Sequence, residues 1–110
     1  MATGIPSISD VFNDVASWSN ATFGDEASRG PIGPLKHLVK EVQNELLPPT
    51  GDPKKLDEYA DVLILWCDAV RRAGFCCDDA LIAAKLKMSI NRTRNYPKPL
   101  GDAISEHIRD

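Results

Sequence analysis

The chain has 110 residues, 43% hydrophobic and 26% charged, with 13 Lys and Arg against 16 Asp and Glu for a formal charge of -3. That length fits a single domain, expected over residues 1–110 with a core at about 7–96 and a tail at 97–110. The acidic balance argues against a nucleic-acid binder; without a segment of roughly 20 apolar residues or a basic, apolar leader, no membrane partner and a cytosolic location are expected.

Residues 1–6 read as a loose start. Ser7 or Ser9 can cap a first helix through about Ser19, with Ile8, Val11, Phe12, Val15 and Trp18 repeating at helical spacing. Asn20 to Gly33, with three glycines and a proline, reads as a long loop, a length often tied to function. Pro34 opens a second helix to about Leu47, where Pro48-Pro49 ends it. Its expected buried stripe is Leu35, Leu38, Val39, Val42 and Leu46.

The third helix is the centre of the chain. Asp52 suits an N-cap, Pro53 the first helical position, and Gly74 the left-handed residue that closes the helix. Val62 to Trp66 is apolar all round, so its middle is expected to be buried on nearly every side. Glu58, Asp61 and Asp68 nevertheless share a stripe of it. Buried carboxylates are costly unless cations join them. Cys67 lies inside this helix and Cys76-Cys77 are adjacent; with no zinc spacing, all three read as reduced structural thiols.

Asp78 or Cys77 starts a fourth helix, expected to finish near Asn95 before Tyr96-Pro97. Ile104 and Ile108 in the tail would suit a short amphipathic turn. The sequons at Asn20 and Asn91 read as chance matches. The fold class is therefore all-α, a bundle of four helices. Dimers or tetramers would complete it, because four helices cannot easily cover a central helix that is apolar on every side.

Glu41 and Glu45 are four apart on the second helix, and an antiparallel packing of helices two and three would bring them toward Glu58 and Asp61. Four carboxylates at one seam repel unless hard cations sit between them, and oxygen-only ligands suit Mg²⁺ or Mn²⁺. The alternative is two solvated acidic faces that never meet. Lys87, Asn91 and Arg94 follow one another on one face of the fourth helix. A cation, an amide and a guanidinium in a row suit a triphosphate, or else form a solvated basic helix end. Trp18 and Phe23 could stack on a purine, or Trp18 could belong to the core; residues 29–33 could offer backbone groups to the edge of the base. His37 reads as a surface residue.

In order and spacing, the two acidic motifs, the Arg71-Arg72-Ala73-Gly74-Phe75 turn and the run Lys87, Asn91, Arg94, Tyr96-Pro97 resemble the MazG-like all-α nucleoside triphosphate pyrophosphohydrolases. The resemblance covers roughly Trp18 to Tyr96. It is nearest in pattern to the small phage and bacterial dATP/dGTP diphosphohydrolases, which include the MazZ enzymes of phages whose DNA carries 2-aminoadenine. It implies hydrolysis of purine nucleoside triphosphates, chiefly dGTP/GTP and dATP, between the α- and β-phosphates, for nucleotide-pool control or modified-base metabolism.

The resemblance also implies that ExxE and ExxD motifs bind Mg²⁺ (or Mn²⁺), and Glu58-Tyr-Ala-Asp61 fits the second motif. The first departs from it: Glu41-Val-Gln-Asn-Glu45 is ExxxE. Either Asn44 takes the second ligand position, or a local helix irregularity brings Glu45 there; helix geometry favours Glu45. The implied metal and catalytic set is Glu41, Glu45, Glu58 and Asp61, and the implied substrate-binding set is Lys87, Asn91, Arg94 and Trp18. Asp68 lies too far along the stripe to join the same ion and reads as a supporting or inter-subunit partner for an arginine. Two other readings stay open: a non-catalytic all-α interaction module, and the same chemistry on a pyrimidine or damaged nucleotide.

Overall fold

The structure is a computed structural model that describes residues 4–109, so part of the expected loose start, residues 1–3, lies outside it. Four α-helices and no strand are present among the described residues, as the all-α reading requires: α1 (Ile8–Phe23), α2 (Ile32–Glu41), α3 (Leu56–Arg72) and α4 (Cys77–Asn91). A π turn, Val42–Leu46, continues α2. None of these helices is long and apolar enough to cross a membrane. The chain divides into two compact units, one up to Asp78 and one from Asp79 onward.

In the first unit, α1 and α2 both pack on α3. Ser7 begins α1 with a reciprocal cap: its hydroxyl accepts from the Asp10 N–H at 3.0 Å, and the Asp10 carboxylate accepts from the Ser7 N–H at 3.1 Å. The helix runs four residues beyond the expected Ser19. It ends where Gly24, at φ +95°, turns the chain while its N–H still donates to Asn20 O. The expected long loop therefore shortens to residues 24–31. Phe12 and Val15 of α1 meet Cys67 of α3 and Cys77 in a core lined by Ile64, Trp66 and Val70.

The stripe of α2 that faces inward is narrower than expected. Pro34 and Leu46 are buried and Leu38 and Val42 half-buried, whereas Leu35 and Val39 are exposed. Positions 34, 38, 42 and 46 recur every four residues, one row along the helix; Leu35 and Val39 lie on the next row, which is exposed.

The start of α3 differs too. Lys55, not Asp52, is its N-cap; the Asp52 carboxylate instead accepts from the Lys54 N–H at 2.9 Å and closes a turn before the helix. At the other end the Gly74 expectation holds. Gly74 sits at φ +96°, its N–H donates to Arg71 O, and the Phe75 N–H donates to Val70 O, which satisfies the last carbonyls of the helix. The expectation that Val62 to Trp66 is buried on every side fails in this chain. Burial concentrates further on, at Cys67–Ala69, Arg71 and Arg72, while Leu63 is exposed. One helix face packs on α1 and α2; the apolar remainder is open.

The second unit carries most of α4 and the tail. Its backbone continues past Asn91 in tight turns, with Arg94 N–H donating to Asn91 O at 3.1 Å, so the helix stops short of Asn95. The tail is not the expected amphipathic turn. It folds back on residues 95–97: Ile108 N–H donates to Asn95 O at 2.6 Å, Ser105 Oγ donates to Pro97 O, and the His107 ring meets Tyr96 edge-on at 6.0 Å.

Candidate active site

Glu41 closes α2, and Glu58 and Asp61 lie one turn apart in the first half of α3. Their packing places one carboxylate oxygen from each within 4.8 Å of the others. Three hard oxygen donors with neither thiolate nor imidazole among them fit Mg²⁺ or Mn²⁺. Burial raises the Glu58 carboxyl above its ordinary value; the charges of Glu45, Asp61 and Glu41 add to this and Lys55 opposes it. Lys55 Nζ approaches Glu58 Oε1 at 3.6 Å, and His37 Nε2 lies 3.2 Å from Glu41 Oε1. His37, expected only as a surface residue, therefore leans on the cluster.

The ExxxE spacing coincides with the π turn. Leu47 N–H reaches back five residues to Val42 O at 2.9 Å, so this turn holds one residue more than an α turn. The following segment folds onto it: Asp52 N–H donates to Glu45 O at 3.0 Å, and Thr50 Oγ1 to Gln43 O. Gly51 lies against this backbone so closely that a Cβ there would sit 2.4 Å from the Glu45 carbonyl carbon. Glu45 is exposed and outside the close trio. Among the charges acting on Glu58, however, its influence is the largest.

Glu41 and Asp61 line one part of a cavity of about 650 Å³, and Trp18, Phe23 and Arg29 line another. Trp18 is exposed, not core, and its ring meets Phe23 edge-on at 5.4 Å; the Arg29 guanidinium lies over the Phe23 ring, 5.0 Å from its centroid. Ser19 takes the inward position on α1 and leaves Trp18 to the cavity.

At the cavity wall, Asp68 is largely buried in a network of side chains from this chain. Its carboxylate accepts from Ser19 Oγ at 2.8 Å, Arg71 at 2.8 Å and Arg72 Nε at 3.2 Å. Burial pushes Asp68 up, but the hydrogen bonds from Arg71, Ser19 and Arg72 outweigh it and hold the carboxyl below its ordinary value. Arg72 also donates to the carbonyls of Gly24 at 2.6 Å, Asp25 at 3.2 Å and Arg29 at 2.7 Å. Arg71 reaches Asn20 at 2.7 Å and Glu26 at 3.3 Å. Sequence reasoning named the two arginines only as part of a turn. The available signal was an acid followed three and four residues later by arginines on a core helix.

Lys87, Asn91 and Arg94 belong to the second unit. Lys87 and Asn91 share a face of α4, but Arg94 lies beyond the helix end, contrary to the single face expected. The Thr93 hydroxyl takes Ile90 O at 2.7 Å, and the turn that follows carries Arg94. Asn91 accepts from the Tyr96 hydroxyl at 3.2 Å.

The profile of the dATP/dGTP pyrophosphohydrolase family matches residues 11–110. The Eaa protein of Salmonella phage P22 is 38% identical over 109 residues, covering 99% of this chain and 32% of that protein; the chain spans about a third of the length of this curated relative. A solved structure of the cyanophage S-2L MazG-like pyrophosphohydrolase, bound to dGDP and three catalytic Mn²⁺ ions per active site, superposes with a TM-score of 0.70 at 25% identity. The match covers 96% of each chain.

Proposed function

The chain belongs to the dATP/dGTP pyrophosphohydrolase family, and from that premise we propose that it hydrolyses purine nucleoside triphosphates, chiefly dGTP/GTP and dATP, between the α- and β-phosphates. The observation that carries the reading is the trio Glu41, Glu58 and Asp61, whose oxygens lie within 4.8 Å of one another. Glu41 and Asp61 also face a cavity whose wall includes Trp18 and Phe23. Carboxylates this close raise each other's ionisation cost, which a divalent cation relieves.

Glu41, Glu58 and Asp61 would hold the ions, with Glu45 joining them through the π turn. Bound Mg²⁺ or Mn²⁺ supplies charge neutralisation for the phosphates and acidifies water. Trp18 and Phe23 offer ring faces to a purine, and Lys87, Asn91 and Arg94 are proposed to bind phosphate oxygens. Water adds to the α-phosphorus as the α–β bridging P–O bond breaks. The products are the monophosphate, pyrophosphate and a proton released to solvent.

A homo-oligomer is part of the proposal. In support, α4 leaves Leu81, Ile82, Leu86, Met88 and Ile90 exposed, and α3 leaves Leu63 and Tyr59 exposed. The role proposed is control of a nucleotide pool or supply to modified-base synthesis in a phage.

Pyrophosphate release from dGTP, dATP, dCTP and dUTP, with and without Mg²⁺ or Mn²⁺, tests the reading. Purine turnover that needs the cation and is abolished in Asp61→Ala is expected. No release from any nucleotide by the folded protein would overturn it.

A further inference from the structure

Arg29 is built into the cavity in a way the metal site does not need. Its guanidinium lies over the Phe23 ring. Among the described residues no carboxylate pairs with it, although Asp14 lines the same cavity. Its backbone is fixed from below, where the Arg29 carbonyl accepts from Arg72 at 2.7 Å and its N–H donates to Asp25 O at 3.0 Å. Space for the guanidinium comes from a glycine: a Cβ at Gly33 would stand 2.5 Å from one terminal nitrogen of Arg29 and 3.0 Å from Nε. An anchored, stacked cation with unclaimed donors faces a cavity that Glu41 and Asp61 also line.

We propose that Arg29 selects guanine over adenine by donating two N–H bonds to the O6 and N7 acceptors of the base. This inference rests on the purine triphosphate reading above. A guanidinium has donors only, in a planar fork that matches the O6/N7 pair of guanine. Adenine keeps N7 but replaces O6 with an amino group, so one fork N–H would face another donor. A phosphate is the other candidate for a free arginine. The triphosphate, however, would follow the cations that Glu41, Glu58 and Asp61 would hold, whereas Arg29 lies over Phe23, which meets Trp18 edge-on in a pair whose ring faces suit a base.

The test is the ratio of kcat/KM for dGTP to that for dATP, measured with Mn²⁺ on wild type, Arg29→Ala, Arg29→Lys and Gly33→Ala. The ratio is expected to fall about tenfold or more in all three variants, through KM. Lysine keeps the charge but not the fork, and the methyl at position 33 displaces the guanidinium while leaving Arg29 in the sequence. A second arm uses 7-deaza-dGTP, which lacks the N7 acceptor: wild type should discriminate against it, and Arg29→Ala should not. The Lys and Gly33 variants keep the inference testable if Arg29→Ala fails to fold. An unchanged ratio, or dGTP and dATP turnover falling in parallel, overturns the role of Arg29 and leaves the pyrophosphohydrolase reading standing. Wild type that cleaves neither purine overturns that reading and this inference with it.

Discussion

Arg72 and Asp68 face each other one turn apart on α3, with Nε 3.2 Å from both carboxylate oxygens and the arginine side chain wholly buried. The arginine is sealed from water and the carboxylate nearly so, so each depends on the other and on Ser19 and Arg71 for compensation. The same arginine holds the loop that carries Arg29. Stability and the cavity wall are thereby coupled through one side chain.

Asp68→Asn should cost about 3 kcal/mol at pH 7, because it leaves the buried Arg72 guanidinium without a counter-charge and Arg71 with Glu26 alone. The folded-state carboxyl is held below its ordinary value despite burial, by hydrogen bonds from Arg71, Ser19 and Arg72. Its contribution is therefore fully present above the unfolded value, about pH 4, and is lost as pH falls through the folded one. Urea unfolding at pH 7 and pH 3 should show the gap between wild type and variant narrowing in acid. A gap of constant size would mean that Asp68 is not the ionised partner.

Glu58→Gln should make the cation-free protein more heat-stable, since burial and the charges of Glu45, Asp61 and Glu41 all oppose ionisation there. The same change should remove most of the stabilisation that Mn²⁺ gives wild type. Melting curves in EDTA and in Mn²⁺ would show the two effects with opposite sign. If Mn²⁺ stabilises both proteins equally, the ion binds elsewhere.

Gly51→Ala should destabilise by about 1–3 kcal/mol and weaken Mn²⁺ binding, because the new methyl meets the Glu45 and Leu46 backbone within the π turn. Backbone cannot swing aside as a side-chain tip can. Gly30→Ala, with nothing within 4 Å, is the control and should leave Mn²⁺ affinity unchanged. Titration calorimetry on the two variants decides the matter.

For the proposed homo-oligomer, Leu86→Glu should lower the sedimentation coefficient to that of a monomer. Leu86 is 62% exposed within this chain, and a charge placed on a buried subunit face is strongly unfavourable. An assembly that survives both Leu86→Glu and Ile82→Glu would place the interface off α4.

Much of this arrangement was legible in the residues. Pro48-Pro49, Gly74 and the apolar spacing of the helices mark the element boundaries to within a few positions, and an irregular turn is one of the two readings of the ExxxE spacing, where a π turn now stands. Of the four carboxylates expected at the seam, Glu41, Glu58 and Asp61 converge, because helices joined by a short connection have few ways to pack, while Glu45 stays outside the close group. What escaped depends on contacts far apart in sequence. Nothing local says that α1 runs on to Phe23, since Asn20 and Ser19 gain their partners from arginines some fifty positions away. The exposure of Trp18 was equally hidden, because helical spacing places it on the apolar side until Ser19 is given a polar interior to bind.

The bonds from Arg72 to the segment after α1 all end on main-chain oxygens, those of Gly24, Asp25 and Arg29. Every residue type carries that oxygen. Apart from Glu26, which pairs with Arg71, and Asp25 and Ser28, which bond to each other, the side chains of this segment are therefore released from the task of holding it in place. A lineage could exchange what they present to a ligand, one substitution at a time, without rebuilding the support beneath. Selectivity and scaffold would then evolve on separate clocks.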